Sequence, residues 1–129
     1  MKAGITYNRN TEGDNMPFIN AKVSVKVSEG KQETIKAKLG KAIELIPGKS
    51  ENWLMVGFED QYTLYFKGQQ FEKIAFVEVK IFGSADKKTY DQLTSTICSI
   101  LNEELSIPAD KVYVTYQEIE NWGWNGSNF

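Results

Sequence analysis

Apolar and polar residues alternate through "PFINAKVSV", residues 17–25: Ile19, Ala21, Val23 and Val25 fall on one side, Asn20, Lys22 and Ser24 on the other. A period of two predicts a strand with one buried face. The period then changes. Ile35, Leu39, Ala42, Ile43 and Ile46 recur at helical spacing behind Ser28, a capping residue type, until Pro47 and Gly48 end the run. "WLMVGF", 53–58, reads as a second strand. "QYTLYF", 61–66, reads as a short third one, with Lys67 and Gly68 suited to an exposed edge. "IAFVEVKIF", 74–82, repeats the character of the first strand. A second helix is predicted over 84–105 through Tyr90, Leu93, Ile97, Ile100 and Leu101, and "KVYVTYQEI" after Pro108 is the closing strand.

Residues 17–58 and 74–117 are therefore two copies of strand, helix, strand, each with Ile-Pro just after its helix, at Ile46-Pro47 and Ile107-Pro108. Right-handed crossovers make the strands of each copy parallel. The predicted fold is α+β, with two pseudo-repeated β-α-β units forming a four-stranded sheet and both helices on one face. The other face carries Asn20, Lys22 and Ser24, too polar for a dry core and too regular for a loop. A neighbouring subunit is its expected cover, so an oligomer is expected.

Composition narrows the chemistry. The 129 residues suit one domain, at 16–129, preceded by a polar, aperiodic extension at 1–15 that reads as disordered. Net charge is -2 with Lys spread along the chain, which points away from a nucleic-acid partner. No apolar run is long enough to span a membrane, and residues 1–15 lack the apolar stretch of a secretory signal. The default expectation is a cytoplasmic protein. Cys98 is the single cysteine, which excludes an intrachain disulfide, and its place in a helical pattern reads as packing. There is no His and one Arg, Arg9. A Ser-His-Asp triad, a Cys-His pair and any His-based metal site are excluded. Proton chemistry near neutral pH is left to a perturbed carboxylate, a perturbed Lys or a terminal amine.

The Met16-Pro17 pair bears on that choice. Pro17 suits the first residue of an edge strand. If the chain instead starts at Met16 and loses it, Pro17 becomes the amino terminus. Glu12-Gly13-Asp14 is what translation of a bacterial ribosome-binding sequence of the GAAGGAGAU type yields, at a suitable distance before the Met16 codon. For a bacterial source this predicts initiation at Met16, with residues 1–15 an upstream start artefact. If the extension is retained, it is expected to lie over or beside the pocket mouth.

Four places resemble the macrophage migration inhibitory factor family of the tautomerase superfamily: Met16-Pro17-Phe18-Ile19, Gly48-Lys49, "DKVYVTY" at 110–116, and the ending "NWGWNGSNF". The resemblance covers residues 17–129 and implies a homotrimer with active sites between subunits. It implies a small enol or keto-acid substrate of the phenylpyruvate kind, an N-terminal proline as catalytic base, and no cofactor. The base would be Pro17 and the lysine beside it Lys49. Phe82 would line the pocket through its backbone, and a neighbouring subunit would lend Tyr113 and Thr115. Trp122, Trp124 and Phe129 would form an aromatic wall, one tryptophan in the core and the other facing the pocket, with Trp53 and Phe66 at the rim. Trp53 reads equally as packing, and Tyr113 as interface. An α-amino group ordinarily titrates at about 7.7–8.0. Aromatic surroundings and a neighbouring ammonium both disfavour its charged form, leaving a neutral base at pH 7.

The chain departs from the family in several places. Thr115 stands where Asn is usual, and Phe82 is bulkier than the usual Ile. The family's Cys-x-x-Cys has no counterpart. Of its receptor-mimicking Arg and Asp, Asp60 matches but Val27 stands at the Arg position, which argues against cytokine-like receptor binding. The alternative to an enzyme is a non-catalytic interaction protein of the same family, for which the resemblance leaves non-classical secretion open.

Overall fold

The computed structural model describes residues 16–129; the expectations for 1–15 lie outside them. The first strand, β1 (Pro17–Val23), is the central organiser. It pairs in parallel with β2 (Met55–Glu59), in register Phe18 with Met55, and antiparallel with β5 (Ala75–Phe82), in register Pro17 with Ile81. Between β2 and β5 lies a small hairpin of β3 (Tyr65–Phe66) and β4 (Gln69–Gln70). β6 (Val112–Ile119) pairs in parallel with β5, giving the sheet order β2-β1-β5-β6. Each β-α-β copy supplies one parallel pair, and the two copies join antiparallel at the centre.

The helices are α1 (Glu29–Ala42) and α2 (Lys87–Leu105). Ser28 caps α1 by accepting the Lys31 N–H at 3.2 Å, as its position before the apolar run predicted. The last turn tightens to a 3-10 segment, Ile43–Leu45, before Pro47. In α2 the cap is Asp86, which accepts from Thr89 N–H at 2.8 Å, so the helix begins later than residue 84. It ends where Ser106 adopts a left-handed backbone (φ 58°), with Ile107 N–H returning to the Leu101 carbonyl.

Both helices cover one sheet face. Ile35, Leu39 and Ile43 from the first copy meet Leu93, Ile97 and Leu101 from the second, over Ile19, Val23, Val77, Val79 and Ile81. These side chains are essentially removed from water, each fully buried aliphatic group contributing roughly 1.5–3 kcal/mol. The opposite face is polar and knit across strands. Asn20 Nδ2 donates to Glu59 Oε2 at 2.7 Å and to Glu78 Oε1 at 3.4 Å, and Lys22 pairs with Glu78 at 3.4 Å.

Four local readings differ. Residues 53 and 54 do not join β2, because Glu51–Trp53 form a 3-10 turn. The parallel ladder to β1 cannot run back past Pro17, which has no N–H to give. The stretch 61–66 is strand only at its last two residues, since Gln61 turns the chain with a φ of 54°. Lys67 and Gly68 are the two left-handed residues of the β3–β4 hairpin turn rather than edge residues. Ser24 lies just past β1, where its hydroxyl staples the loop by donating to the Glu72 carbonyl and accepting from Ile74 N–H.

Leu93→Ala removes a side chain that is 0% exposed at the meeting of both helices. It lowers unfolding free energy by about 2–5 kcal/mol, as read by urea titration at fixed protein concentration.

Candidate active site

Pro17 opens β1 and is fully buried, and the residue before it, Met16, is 4% exposed. The Met16 carbonyl accepts the N–H of Phe82, the last residue of β5, at 3.0 Å. The carbonyl of that same Phe82 accepts from Lys49 Nζ at 2.9 Å. In an antiparallel pair the N–H and C=O of one residue point to the same side. One residue therefore binds both the acyl group on the Pro17 nitrogen and the Lys49 ammonium. Lys49 is 7% exposed, and a buried ammonium is tolerable only when hydrogen-bonded. It reaches this position because Gly48 (φ 85°) turns the chain after Pro47, with the Lys49 N–H bound to the Ile46 carbonyl.

An aromatic wall stands alongside. The Phe129 ring packs on Phe82 with centroids 6.0 Å apart, Trp124 lies nearly parallel to Phe129 at 6.4 Å, and Trp53 meets Trp124 edge-on at 5.0 Å. The C-terminal hairpin of β7 (Gly123–Trp124) and β8 (Ser127–Asn128) carries this wall. Its turn, Asn125-Gly126, is left-handed at both residues, a two-residue hairpin signal in the sequence. Trp122 is half-buried and its carbonyl accepts the Phe129 N–H at 3.0 Å. Neither Trp122 nor Trp124 enters the main core.

The remaining candidates stand elsewhere. Phe66 and Tyr113 meet edge-on at 5.3 Å, next to Phe76. Phe76 is six residues before Phe82 on the same strand, about 20 Å away at strand rise. Thr115 pairs with Glu78 and is exposed on the same side as Tyr113. Within one chain the candidate residues thus divide between opposite ends of the sheet. Pro17, Lys49, Phe82, Trp53, Trp124 and Phe129 hold one end, and Phe66 and Tyr113 the other.

Beyond Phe82, an open groove of about 930 Å³ runs between residues 82–84 and 117–121. Tyr90, which the sequence offered only as a helix-core residue, reaches its border. Its hydroxyl donates to Glu118 Oε2 at 2.6 Å and accepts from Ala85 N–H at 3.1 Å. Its ring stacks on Tyr116 at 4.4 Å. Burial, then the hydrogen bond to Glu118, push the Tyr90 phenol up to about 12. Burial alone pushes the Cys98 thiol up, which suits packing rather than reactivity. Asp60 Oδ2 accepts the Val27 N–H at 2.9 Å, so the carboxylate matched to the receptor-mimicking pair serves as a loop staple. Among the described residues, no three His, Cys, Asp or Glu side chains converge on a metal site, and no helix is long and apolar enough to cross a membrane.

The family described as macrophage migration inhibitory factor (MIF) matches residues 16–129. The chain belongs to the MIF family. It is similar to the Xenopus laevis macrophage migration inhibitory factor, 26% identical over 116 residues that span 88% of this chain and 99% of that protein. It also resembles the Leishmania major MIF2 structure at 32% identity and a TM-score of 0.83, covering 91% of this chain and 100% of that one. A MIF homologue from Prochlorococcus marinus matches at 30% identity and a TM-score of 0.78, over 87% and 98% of the two chains. Membership in the MIF and tautomerase superfamily and the two-repeat fold are thereby established.

Tyr90 gives a titration prediction. Its folded-state value lies above the ordinary 10.0. The proton is therefore held more tightly in the fold, and the stability this contributes is complete below pH 10 and lost as pH rises through about 12. Ultraviolet titration should show a phenol ionising at about 12, and Tyr90→Phe should remove it.

Proposed function

We propose that this protein is a tautomerase interconverting the enol and keto forms of phenylpyruvate-like α-keto acids, with the Pro17 nitrogen as general base. The observation that carries the reading is the Lys49 ammonium held on the Phe82 carbonyl while the Phe82 N–H holds the Met16 carbonyl. Removal of Met16 turns the Pro17 nitrogen into a secondary amine and releases the Phe82 N–H as a donor. Burial and the positive charge of Lys49 both favour the neutral amine over the charged one. The base then takes a proton from the substrate carbon or enol oxygen and returns it to the other. Positive charge at Lys49 favours the enolate oxygen and the substrate carboxylate. The aromatic wall suits a substrate with a flat apolar end.

The separation of Tyr113 from Lys49 supports a homotrimer, in which the Tyr113 and Thr115 end of one subunit completes the Pro17 end of the next. The polar sheet face, which no element of the same chain covers among the described residues, supports the same assembly. While Met16 stays attached, the Pro17 nitrogen is an amide without basic character. That covalent state favours the second reading, a non-catalytic interaction protein with the same fold.

Protein beginning at Pro17 should convert phenylpyruvate enol to keto form, followed by ultraviolet absorbance. Pro17→Gly should lose about 10²- to 10⁴-fold of the rate. Protein with Met16 retained should show none. A free Pro17 in an intact trimer without turnover contradicts the proposal and selects the interaction protein.

A further inference from the structure

We infer that the Tyr90 hydroxyl is a positioning group: by bridging Ala85 and Glu118 it holds the turn at Gly83, so that the Phe82 carbonyl stays on the Lys49 ammonium. Its importance for catalysis rests on the proposed reaction; the positioning itself does not.

The argument starts from the 82–83 peptide. Phe82 ends β5, and Gly83 follows with a φ of 95°. A glycine there tolerates either orientation of the preceding peptide plane, so local sterics do not fix where the Phe82 carbonyl points. That carbonyl is an acceptor for a buried ammonium, and a flip of the peptide removes it. The chain just beyond supplies a further constraint. Ala85 N–H donates to the Tyr90 hydroxyl at 3.1 Å, and that hydroxyl donates to Glu118 Oε2 at 2.6 Å. Glu118 lies on β6 opposite Ile81, one residue before the turn's own strand end. The bridge therefore closes the loop back onto the sheet beside Phe82.

Tyr90 is itself held from several directions. It sits in the first turn of α2, where Asp86 caps the Thr89 N–H at 2.8 Å. Its ring stacks on Tyr116 at an interplanar angle of 26°. The Tyr116 hydroxyl donates to the Tyr90 carbonyl at 3.1 Å and meets Thr94 Oγ1 at 2.7 Å. A phenol fixed in ring, carbonyl and hydroxyl is a rigid post for a glycine turn. On this inference Tyr90 acts through Phe82 and Lys49.

The test uses side-chain nitrogen NMR on the 129-residue chain. Tyr90→Phe removes the hydroxyl and keeps the ring on Tyr116. The expected result is that hydrogen exchange of the Lys49 ammonium speeds up by about tenfold or more and the Gly83 amide signal moves. Glu118→Gln, whose side-chain carbonyl still accepts from the phenol, should keep both signals near wild type. If Tyr90→Phe does not fold, Glu118→Ala carries the same readout. Lys49 exchange within about twofold of wild type in a folded Tyr90→Phe or Glu118→Ala variant overturns the inference. In protein beginning at Pro17, kcat of Tyr90→Phe should fall roughly ten- to a hundredfold with KM little changed, since small displacements at a reaction centre cost that much. Failure of the unmutated protein to turn over would count against the proposed function, while the Lys49 signal would still decide the positioning.

Discussion

A buried lysine ammonium held on a backbone carbonyl is the constraint on which the Pro17 end of the sheet depends. Burying a charge costs several kcal/mol unless its donors are met. Here the Phe82 carbonyl accepts from the ammonium, and the N–H of the same residue binds the carbonyl of Met16, just before Pro17. The position of Phe82 thus sets the position of the charge relative to the proline ring. Much of the surrounding structure fixes that strand end: the antiparallel register of Pro17 with Ile81, the Phe129 ring against the Phe82 ring, and the Tyr90 bridge beyond Gly83.

The sheet has two unlike faces for related reasons. The helix-covered face is largely aliphatic, and it supplies the stability that tolerates a buried charge at one corner. The other face carries a tied set of carboxylates, an amide and an ammonium, with Glu78 accepting from both Asn20 and Lys22. Such a face is satisfied without being dry, which suits a surface shared between subunits better than a core. The aromatic group at Tyr113 and the charged group at Lys49 lie at opposite ends of one sheet, and a site using both requires two chains.

Long-range order was legible in the sequence where periodicity was strong. The alternation over 17–23 and 75–82 and the helical spacing of Ile35, Leu39 and Ile43 placed the main elements, and the repeated Ile-Pro ends revealed the two copies. Local backbone choices were harder to read. Nothing in "QYTLYF" announces that Gln61 takes a left-handed backbone, and nothing in "ENWL" announces the 3-10 turn at Glu51–Trp53 that keeps residues 53 and 54 out of β2. Lys49 and Phe82 were named through family resemblance, since a lysine after a Pro-Gly turn is ordinarily solvated. The Tyr90 bridge was illegible because its meaning needs Ala85, Glu118 and Gly83 brought together in space. Residue type was legible at the ends of the first helix, through Ser28 and Pro47-Gly48, whereas the Asn125-Gly126 hairpin turn that positions the aromatic wall was not among the sequence expectations.

The most direct test of the account is the ionisation of the Pro17 nitrogen, followed by nitrogen-15 NMR across pH in protein that begins at that residue. A buried amine beside the Lys49 charge must titrate well below the ordinary range of about 7.7–8.0, and Lys49→Met must bring it back up toward that range. A value within or above that range in the unmutated protein, unmoved by Lys49→Met, would contradict the coupling between the two groups.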